Sequence, residues 1–397
     1  MKSISDLVNR LAPSATFAMA QKSAELSAQG VDVVNMSVGE PDFNTPDYVK
    51  EAAKKAIDEN YSTYSPVLGY MSLRKACSDK LKRENGLDYS TSEILISTGA
   101  KQSLCNAVMA LVNPGDEVIL ASPCWVSYPE MVKLAGGTPV VVKAGIDQDF
   151  KINAAQLEAA ITPKTKAVMI CSPSNPTGSV YSKEELASLA AVLVKHPQIF
   201  VISDEIYEHI NFIGGHESIG QFQELRDQLV IINGVSKAYA MTGWRIGFMA
   251  APEWLVKACN KLQGQYTSGT CSVAQKAAEA AFNGPQDDVE AMRVVFQRRR
   301  DLIVKLAKDI PGLEVNNPQG AFYLFPKCDS FFGKRDGDRV INSAEDLAMY
   351  LLEVGHVACV GGTAFGAPEC IRFSYATSDE KIIEAFRRVK ETLARLK

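Results

Sequence analysis

The chain has 397 residues, more than one hydrophobic core usually supports, so two domains are expected. Hydrophobic residues make up 46% of the chain and charged residues 22%, as in soluble globular proteins. The formal net charge of −4 gives no general attraction to nucleic acids or anionic membranes, so neither is expected as a partner and any anion site must be local.

Nine cysteines are scattered along the chain, and no two have C-x-x-C spacing. This pattern argues against structural disulfides and against a zinc site; no metal is expected, and a reducing cytoplasm fits best. Residues 1–30 lack the apolar segment of a signal peptide. No run of eighteen apolar residues occurs, so no membrane-spanning helix is expected.

The N-terminal part is predicted to form an arm, a helix over residues 16–30 and a short strand over residues 31–36. In the turn-rich loop that follows, Gly39 would let another group approach the backbone, although an ordinary tight turn explains the sequence equally well. Helices are then predicted over residues 45–60 and 69–84, with an exposed aromatic loop between them.

Residues 94–102 are predicted to form a strand, a turn and a helix. The small residues Gly99 and Ala100 would expose backbone N–H groups at the positive end of the helix, which favours a phosphate site; a plain strand–helix turn is the alternative. No Gly-Lys-Ser/Thr follows, so this is not a P-loop, and the absence of G-x-G-x-x-G leaves dinucleotide binding without support.

Apolar strands then alternate with helices, which predicts an α/β fold with a largely parallel, doubly wound sheet. The strands are predicted at residues 117–121, 138–143, 166–172, 199–204, 228–233 and 245–250, and the helices at residues 126–136, 153–161, 183–195, 253–264 and 272–282. The pattern changes to α+β after Pro285. We therefore expect an N-terminal arm and part of a small domain in residues 1–45, a large domain in residues 46–285 and a small C-terminal domain in residues 286–397.

Five polar groups follow predicted strands, at the edge where open α/β sheets bind ligands. They are an amide, a carboxylate, a phenol, an amine and a guanidinium, from Asn175, Asp204, Tyr207, Lys237 and Arg245. Desolvation lowers the pKa of a lysine held there and makes it a nucleophile toward carbonyls, although a lone lysine is more often solvated. The set suits the ring nitrogen, phenolic oxygen, aldehyde and phosphate of pyridoxal 5'-phosphate.

These motifs resemble those of the class I, fold-type I PLP-dependent aminotransferases, and most of all the bacterial aspartate aminotransferases of the Iβ subgroup. The resemblance is carried by residues 237–247, residues 175–178, Asp204 and Tyr207, and it extends from about Ser14 to the C-terminus. It implies a large domain with a mostly parallel seven-stranded sheet flanked by helices, together with a smaller α+β domain.

The resemblance also assigns the cofactor site. Lys237 would be the catalytic residue, holding the cofactor aldehyde and then moving a proton at the substrate's α-carbon. Asp204 would pair with the ring nitrogen, whereas its neighbour Glu205 points the opposite way along a strand. Asn175 and Tyr207 would bind the phenolic oxygen.

The remaining cofactor residues would be Trp125 on the ring, Lys101 beside it, and Gly99, Ala100, Ser236 and Arg245 at the phosphate. Tyr64 would reach the phosphate of a neighbouring subunit, which implies a homodimer with shared active sites.

Substrate contacts follow from the same resemblance. Arg372 would bind the α-carboxylate, although a salt bridge to a protein acid is the simpler reading of the sequence alone. The backbone of Gly39 would assist, and Asn175 and Trp125 would also touch the substrate. Lys101, helped by Ser14, would bind the distal carboxylate of an acidic substrate.

The resemblance implies an aspartate:2-oxoglutarate aminotransferase that works by a ping-pong mechanism. Three departures stand out: Ala12 replaces the lysine of members that also use prephenate, Gly234 replaces a common serine, and Ala100 replaces glycine. Two alternatives stay open. One is the same chemistry on alanine, aromatic or other amino acids, or a β-lyase reaction; the other is a non-enzymatic ligand-sensing domain.

Overall fold

The computed structural model describes residues 4–397. Over this range the α-helices are α1 (Asp6–Asn9), α2 (Ala15–Ala28), α3 (Asp47–Asp58), α4 (Met71–Asn85), α5 (Ala100–Leu111), α6 (Ser127–Leu134), α7 (Ala154–Ala160), α8 (Lys183–Leu193), α9 (Glu253–Tyr266), α10 (Ser272–Asn283), α11 (Asp287–Lys308), α12 (Ala344–Glu353) and α13 (Asp379–Leu393). The strands are β1 (Val34–Asn35), β2 (Ile94–Thr98), β3 (Glu117–Ser122), β4 (Thr138–Lys143), β5 (Thr165–Cys171), β6 (Phe200–Asp204), β7 (Leu229–Gly234), β8 (Ile246–Ala250), β9 (Tyr323–Leu324), β10 (Arg335–Asp336), β11 (Arg339–Val340), β12 (Val357–Ala358), β13 (Val360–Gly361) and β14 (Ile371–Ser374).

A seven-stranded sheet forms the centre of the molecule, with the strand order β2-β8-β7-β6-β5-β3-β4. Its neighbouring strands are parallel, except that β8 runs antiparallel to both β2 and β7. Strands β6, β7 and β8 are buried along their whole length, as expected when helices cover both faces of a sheet. The predicted α/β fold class, with its mostly parallel seven-stranded sheet, is confirmed.

The two faces of the sheet belong to separate hydrophobic clusters, because successive side chains of a strand point to opposite faces. Along β7, Leu229 and Ile231 pack with the helices α3, α4, α8 and α10. Val230 and Ile232 pack on the other side, with α5, α6 and α9. The helices therefore hold the strand ends at a fixed position, and the polar groups that follow these ends are fixed with them.

A third hydrophobic cluster joins the N-terminal segment to the C-terminal part of the chain. Strand β1 pairs in parallel with β12, and Met19 and Met36 pack in the same cluster as α12 and α13. The strand predicted at residues 31–36 is reduced to Val34–Asn35, the two residues that pair with β12. A short hairpin of β10 and β11 was not predicted. This packing supports our proposal that residues 1–45 and 286–397 share the small domain and that residues 46–285 form the large one.

All nine cysteines are free thiols. Among the described residues, no helix has both the length and the apolar character needed to cross a bilayer.

A buried ion pair connects α4 to the segment that follows β6. The Lys80 ammonium is fully buried and donates to the carboxylate of Glu208, and it also donates to Asn85 at 2.8 Å. Burial alone would raise the pKa of Glu208, but the Lys80 ammonium is the main influence that outweighs burial and holds that pKa well below its ordinary value. The pair therefore fixes the chain just beyond Asp204 against the large-domain helices.

Replacing Lys80 with methionine leaves the Glu208 carboxylate buried without its cation, and we expect a loss of about 3 kcal/mol or more in the free energy of unfolding. Denaturant unfolding of the purified protein measures this loss. The matched control is Lys75→Met on the same helix, which removes an exposed pair with Asp79 and should change stability little. Equal effects of the two substitutions would contradict the assigned role of the buried pair.

Candidate active site

A cavity of about 590 Å³ opens at the edge of the sheet where the parallel strands have their carboxyl ends. It collects residues that are far apart in the sequence but follow neighbouring strands: Trp125 after β3, Asn175 after β5, Asp204 at the end of β6 and Lys237 after β7. The predicted site residues that line it are Ser14, Gly39, Ala100, Lys101, Trp125, Asn175, Asp204, Tyr207, Ser236, Lys237, Arg245 and Arg372.

Lys237 lines this cavity and is half-buried. Its Nζ donates a hydrogen bond to the carbonyl oxygen of Gly39 at 2.9 Å. The pKa of Lys237 is lowered to about 8, chiefly by removal of the amine from water and in smaller part by Arg245 and Arg372, while Glu40 and Asp204 oppose the shift. The amine is thus partly neutral near physiological pH, which is the form that attacks a carbonyl carbon.

Asp204 is held by a residue that the sequence interpretation missed. The hydroxyl of Tyr128 donates to Asp204 Oδ2 at 2.7 Å, and the backbone N–H of Ile206 donates to Oδ1 at 3.3 Å. Burial raises the pKa of Asp204 to about 6, and the Tyr128 hydrogen bond limits that rise. Tyr128 lies in the first turn of α6, close behind Trp125, so a second aromatic residue after β3 was the available signal.

Arg372 forms a second buried centre of charge. Its guanidinium donates to Asn175 Oδ1 at 2.8 Å and to the carbonyl oxygen of Ser37 at 2.7 Å, while its Nε has no partner. Within residues 4–397, no aspartate or glutamate forms an ion pair with Arg372, so the predicted alternative of a protein salt bridge is not what the structure contains. A buried cation of this kind needs an anion, and a bidentate carboxylate is the natural partner.

The orientation of Asn175 follows from this contact. Because its Oδ1 accepts the hydrogen bond from Arg372, its Nδ2 is left as a donor on the residue that lines the cavity. The amide can therefore donate to an oxyanion while it also holds the guanidinium.

The other end of the cavity is suited to a phosphate. Helix α5 begins at Ala100 without a side-chain cap, so its first backbone N–H groups are free to bind an anion. Gly99 has φ +80°, and a Cβ there would lie 2.3 Å from an Arg245 nitrogen. A Cβ on Gly247 would lie 2.2 Å from the backbone nitrogen of Ala100. Within the described part of the chain, the Arg245 guanidinium donates only to backbone carbonyl oxygens, of Thr242 at 2.9 Å and Thr98 at 3.4 Å.

A further cation lies at the mouth of the cavity. The Nζ of Lys101 is 4.7 Å from the centre of the Trp125 ring, and no acidic residue among those described pairs with it. Burial lowers the pKa of Lys101. Ser14, at the start of α2, makes no side-chain capping bond there, so its hydroxyl is available to a ligand.

Gly39 is required by a contact that the sequence did not reveal. A Cβ at this position would lie 2.0 Å from the hydroxyl of Tyr323, so the side chain of Tyr323 approaches this backbone closely. Tyr323 also lines the cavity, and its hydroxyl lies 2.8 Å from that of Tyr207. Nothing in the apolar segment around Tyr323 distinguishes it from a core aromatic residue.

Two predicted site residues, Tyr64 and Gly99, do not line the cavity, although Gly99 lies directly against the Arg245 guanidinium, which does. Tyr64 does not line the cavity of its own chain, and it is 97% exposed. Glu205 points away from Asp204, as expected along a strand, and its carboxylate binds the hydroxyls of Ser203 and Ser218 and the ring of His216.

The residues present fit pyridoxal phosphate on observations of this chain alone. The cavity combines a desolvated amine, a buried carboxylate, an amide donor and an anion site made by α5 and Arg245. The buried guanidinium of Arg372 keeps one nitrogen, Nε, without a hydrogen-bond partner among the described residues, so the cavity also offers a cation to an anionic ligand. The fold and this site define a PLP-dependent enzyme of fold type I.

The sequence matches the family described as aminotransferase class I and II over residues 31–389. A probable aspartate/prephenate aminotransferase of Rhizobium leguminosarum bv. phaseoli is 48% identical over 98% of both chains. The aspartate/prephenate aminotransferase of Cereibacter sphaeroides is 48% identical over the whole of both. Among solved structures, the aspartate aminotransferase from Rhizobium meliloti is similar with a TM-score of 0.96 and 41% identity over the whole of both chains. The aspartate aminotransferase from Thermus thermophilus with maleate is similar with a TM-score of 0.93 and 40% identity, over 99% of this chain and the whole of the other.

The chain belongs to the class I and II aminotransferases. It is a PLP-dependent transaminase that acts on amino acids and 2-oxo acids, and the sequence-based predictions of family, cofactor and enzyme class are confirmed.

The lowered pKa of Lys237 can be measured in the cofactor-free protein. Because only the neutral amine reacts with an acylating reagent, labelling of Lys237 should rise with a midpoint near pH 8 rather than near the ordinary 10.5. Replacing Glu40 with glutamine removes an anion that raises this pKa, so the midpoint should move to still lower pH. Peptide mass spectrometry across a pH series gives both values.

The exposed Lys54, whose pKa is raised by Glu51, is the internal reference in the same digests. Identical pH profiles for Lys54 and Lys237 would show that the buried environment does not act on the amine as described.

Proposed function

We propose that this enzyme transfers the amino group of L-aspartate to 2-oxoglutarate by a ping-pong mechanism. The observation that carries the proposal is a pair of cations that line one cavity and have no acidic partner among residues 4–397. Arg372 is buried beside Asn175, and Lys101 lies beside Trp125. A substrate with two carboxylates neutralises both cations, whereas a substrate with one leaves Lys101 unpaired. The names of the relatives support the same donor.

When bound, pyridoxal phosphate supplies an electron-withdrawing ring that accepts the electron pair released at the substrate's α-carbon. We assign to Lys237 the attachment of the cofactor and the movement of the α-proton, because its lowered pKa lets the amine accept and release a proton near neutral pH. Asp204, with a pKa of about 6, is ionised at neutral pH and would hold a proton on the ring nitrogen.

The other predicted residues would bind and orient the cofactor. Asn175 and Tyr207 would donate hydrogen bonds to the phenolic oxygen, and Trp125 would pack on the ring. Gly99, Ala100, Ser236 and Arg245 would bind the phosphate. On the substrate, Arg372 and the backbone of Gly39 would hold the α-carboxylate, and Lys101 with Ser14 would hold the distal one.

The choice between aspartate and other amino donors depends on Lys101. Replacing it with alanine removes the cation for the distal carboxylate, so kcat/KM for aspartate should fall by about 30-fold or more, while kcat/KM for alanine should change by less than about 3-fold. Spectral half-reaction kinetics of the holoenzyme with each amino acid measure both values.

The matched control is Lys133→Ala on α6, a partly exposed lysine that pairs with Glu130 and does not line the cavity. An unchanged kcat/KM for aspartate in Lys101→Ala would mean that Lys101 does not select the substrate. An equal loss for both amino acids would point to a role in cofactor binding instead.

Prephenate is a second candidate amino acceptor, because the relatives are named as aspartate/prephenate aminotransferases. Ala12 argues against prephenate, because the side chain of alanine offers no cation where members that use prephenate have a lysine. The backbone N–H of Ala12 donates to Glu130 at 2.8 Å. The same half-reaction assay, run from the amino form of the enzyme, compares prephenate directly with 2-oxoglutarate.

We also propose a homodimer with shared active sites in the cytoplasm. The loop that carries Tyr64 is held firmly, since Ser65 donates to the carbonyl oxygen of Thr270 and Ser272 donates to that of Thr63, both at 3.1 Å. A large aromatic side chain that is 97% exposed on such a fixed loop suits an intersubunit contact. The free cysteines support a reducing compartment.

Hybrid dimers test the shared site. If Tyr64 serves the partner's cofactor, a dimer of one Tyr64→Ala chain and one Lys237→Ala chain contains one intact site and one doubly defective site. At limiting cofactor, its activity should exceed that of either variant alone and approach half that of the wild type. No gain in the co-expressed, dual-tagged hybrid would place Tyr64 outside the partner's site.

A further inference from the structure

Two tyrosine side chains meet beside the proposed phenolic-oxygen site. The hydroxyls of Tyr207 and Tyr323 lie 2.8 Å apart, and both residues are buried, at 4% and 1% exposure. Neither hydroxyl has another hydrogen-bond partner among the described residues. Two hydroxyls at this distance share one hydrogen bond, so one donates and the other accepts. The accepting phenol keeps its own proton for a third group.

The charges around the pair are unequal. The Arg372 guanidinium lies 4.6 Å from the centre of the Tyr323 ring, whereas the Lys237 amine lies farther, 5.9 Å, from the centre of the Tyr207 ring. Burial raises the pKa of both phenols, and Arg372 is the main influence that limits the rise for Tyr323. The thiol of Cys171 also faces both phenols, but burial raises its pKa, so it carries no charge. Tyr323 is therefore the more acidic phenol, and the more acidic phenol is the better donor.

The position of the pair is fixed by the backbone. The Tyr323 hydroxyl occupies the space that a side chain at residue 39 would fill, directly against Gly39. The carbonyl oxygen of Gly39 in turn accepts the hydrogen bond from Lys237. The two rings also contact edge to face, with centres 5.8 Å apart. Tyr323 cannot turn away from Tyr207 without a shift of the loop that carries Gly39.

We propose that Tyr323 is a positioning residue whose hydroxyl donates to that of Tyr207, so that the Tyr207 proton is directed into the cavity, toward the phenolic oxygen of the cofactor. This inference rests on the proposed role of Tyr207 in binding that oxygen. Tyr323 would thus influence the protonation of the cofactor's phenolic oxygen through Tyr207, without contacting the cofactor.

Tyr323→Phe removes the hydroxyl and keeps the ring. Without its donor, Tyr207 becomes a weaker donor, the phenolic oxygen is less stabilised as an anion, and the proton that it shares with the Lys237 nitrogen is held more tightly. The pH midpoint of the visible absorption band of the holoenzyme should therefore rise by about 0.5–1 pH unit. Tyr207→Phe should raise it further, and the double variant should match Tyr207→Phe alone, because Tyr323 acts only through Tyr207.

Tyr350→Phe is the matched control, because this buried tyrosine donates to Asp336 away from the cavity and its loss should leave the midpoint unchanged. An unchanged midpoint in Tyr323→Phe, or additive shifts in the double variant, would overturn the inference while the proposed function stands. If the pH midpoint of the absorption band is the same in Tyr207→Phe as in the wild-type holoenzyme, both this inference and the proposed role of Tyr207 are overturned.

Discussion

The buried guanidinium of Arg372 connects parts of the chain that are remote in sequence. It donates to Asn175 beyond β5 and to the backbone of Ser37 in the N-terminal segment, and it lies against Tyr323 of β9. These contacts are too few to satisfy it, since Nε stays without a partner. The free energy of this charge is lowered most when a carboxylate enters the cavity. If Arg372 binds the substrate as we propose, substrate binding and the contact between the proposed small and large domains involve the same atoms.

Burial brings the pKa values of two groups in the cavity, the Lys237 amine and the Asp204 carboxyl, closer to neutral pH. The pKa of Lys237 falls to about 8 and that of Asp204 rises to about 6, and burial is the main cause in both cases. Each shift is moderated by a hydrogen bond or a charge from another element, Tyr128 on Asp204 and Glu40 near Lys237. A rigid sheet that desolvates both groups thus prepares an amine that exchanges protons and a carboxylate that remains an anion at neutral pH.

The positions of the polar groups at the strand ends could largely be predicted from the sequence. In the large domain, a short apolar run followed by a polar residue marks the end of a buried strand. Strand β6 was expected at residues 199–204 and found at Phe200–Asp204, so Asp204 fell at the predicted edge. Contacts between distant segments could not be predicted in this way. The hydroxyl partner of Tyr207 is 116 residues away, in an apolar segment that looks like ordinary core, and the antiparallel direction of β8 leaves no signal in its composition.

The reversed strand β8 has a consequence for how the enzyme tolerates change in length. The chain leaves β7, passes Lys237, and turns back at Arg245, whose left-handed backbone (φ 58°) begins the return into the sheet. Lys237 and Arg245, which we propose as the cofactor tether and a phosphate ligand, are therefore separated by one short turn whose residue count sets their spacing. Surface loops elsewhere can lengthen at small entropic cost, but an insertion in this turn would move one end of the cofactor site relative to the other. The number of residues in this turn is therefore constrained by the length of the ligand that its two ends would bind.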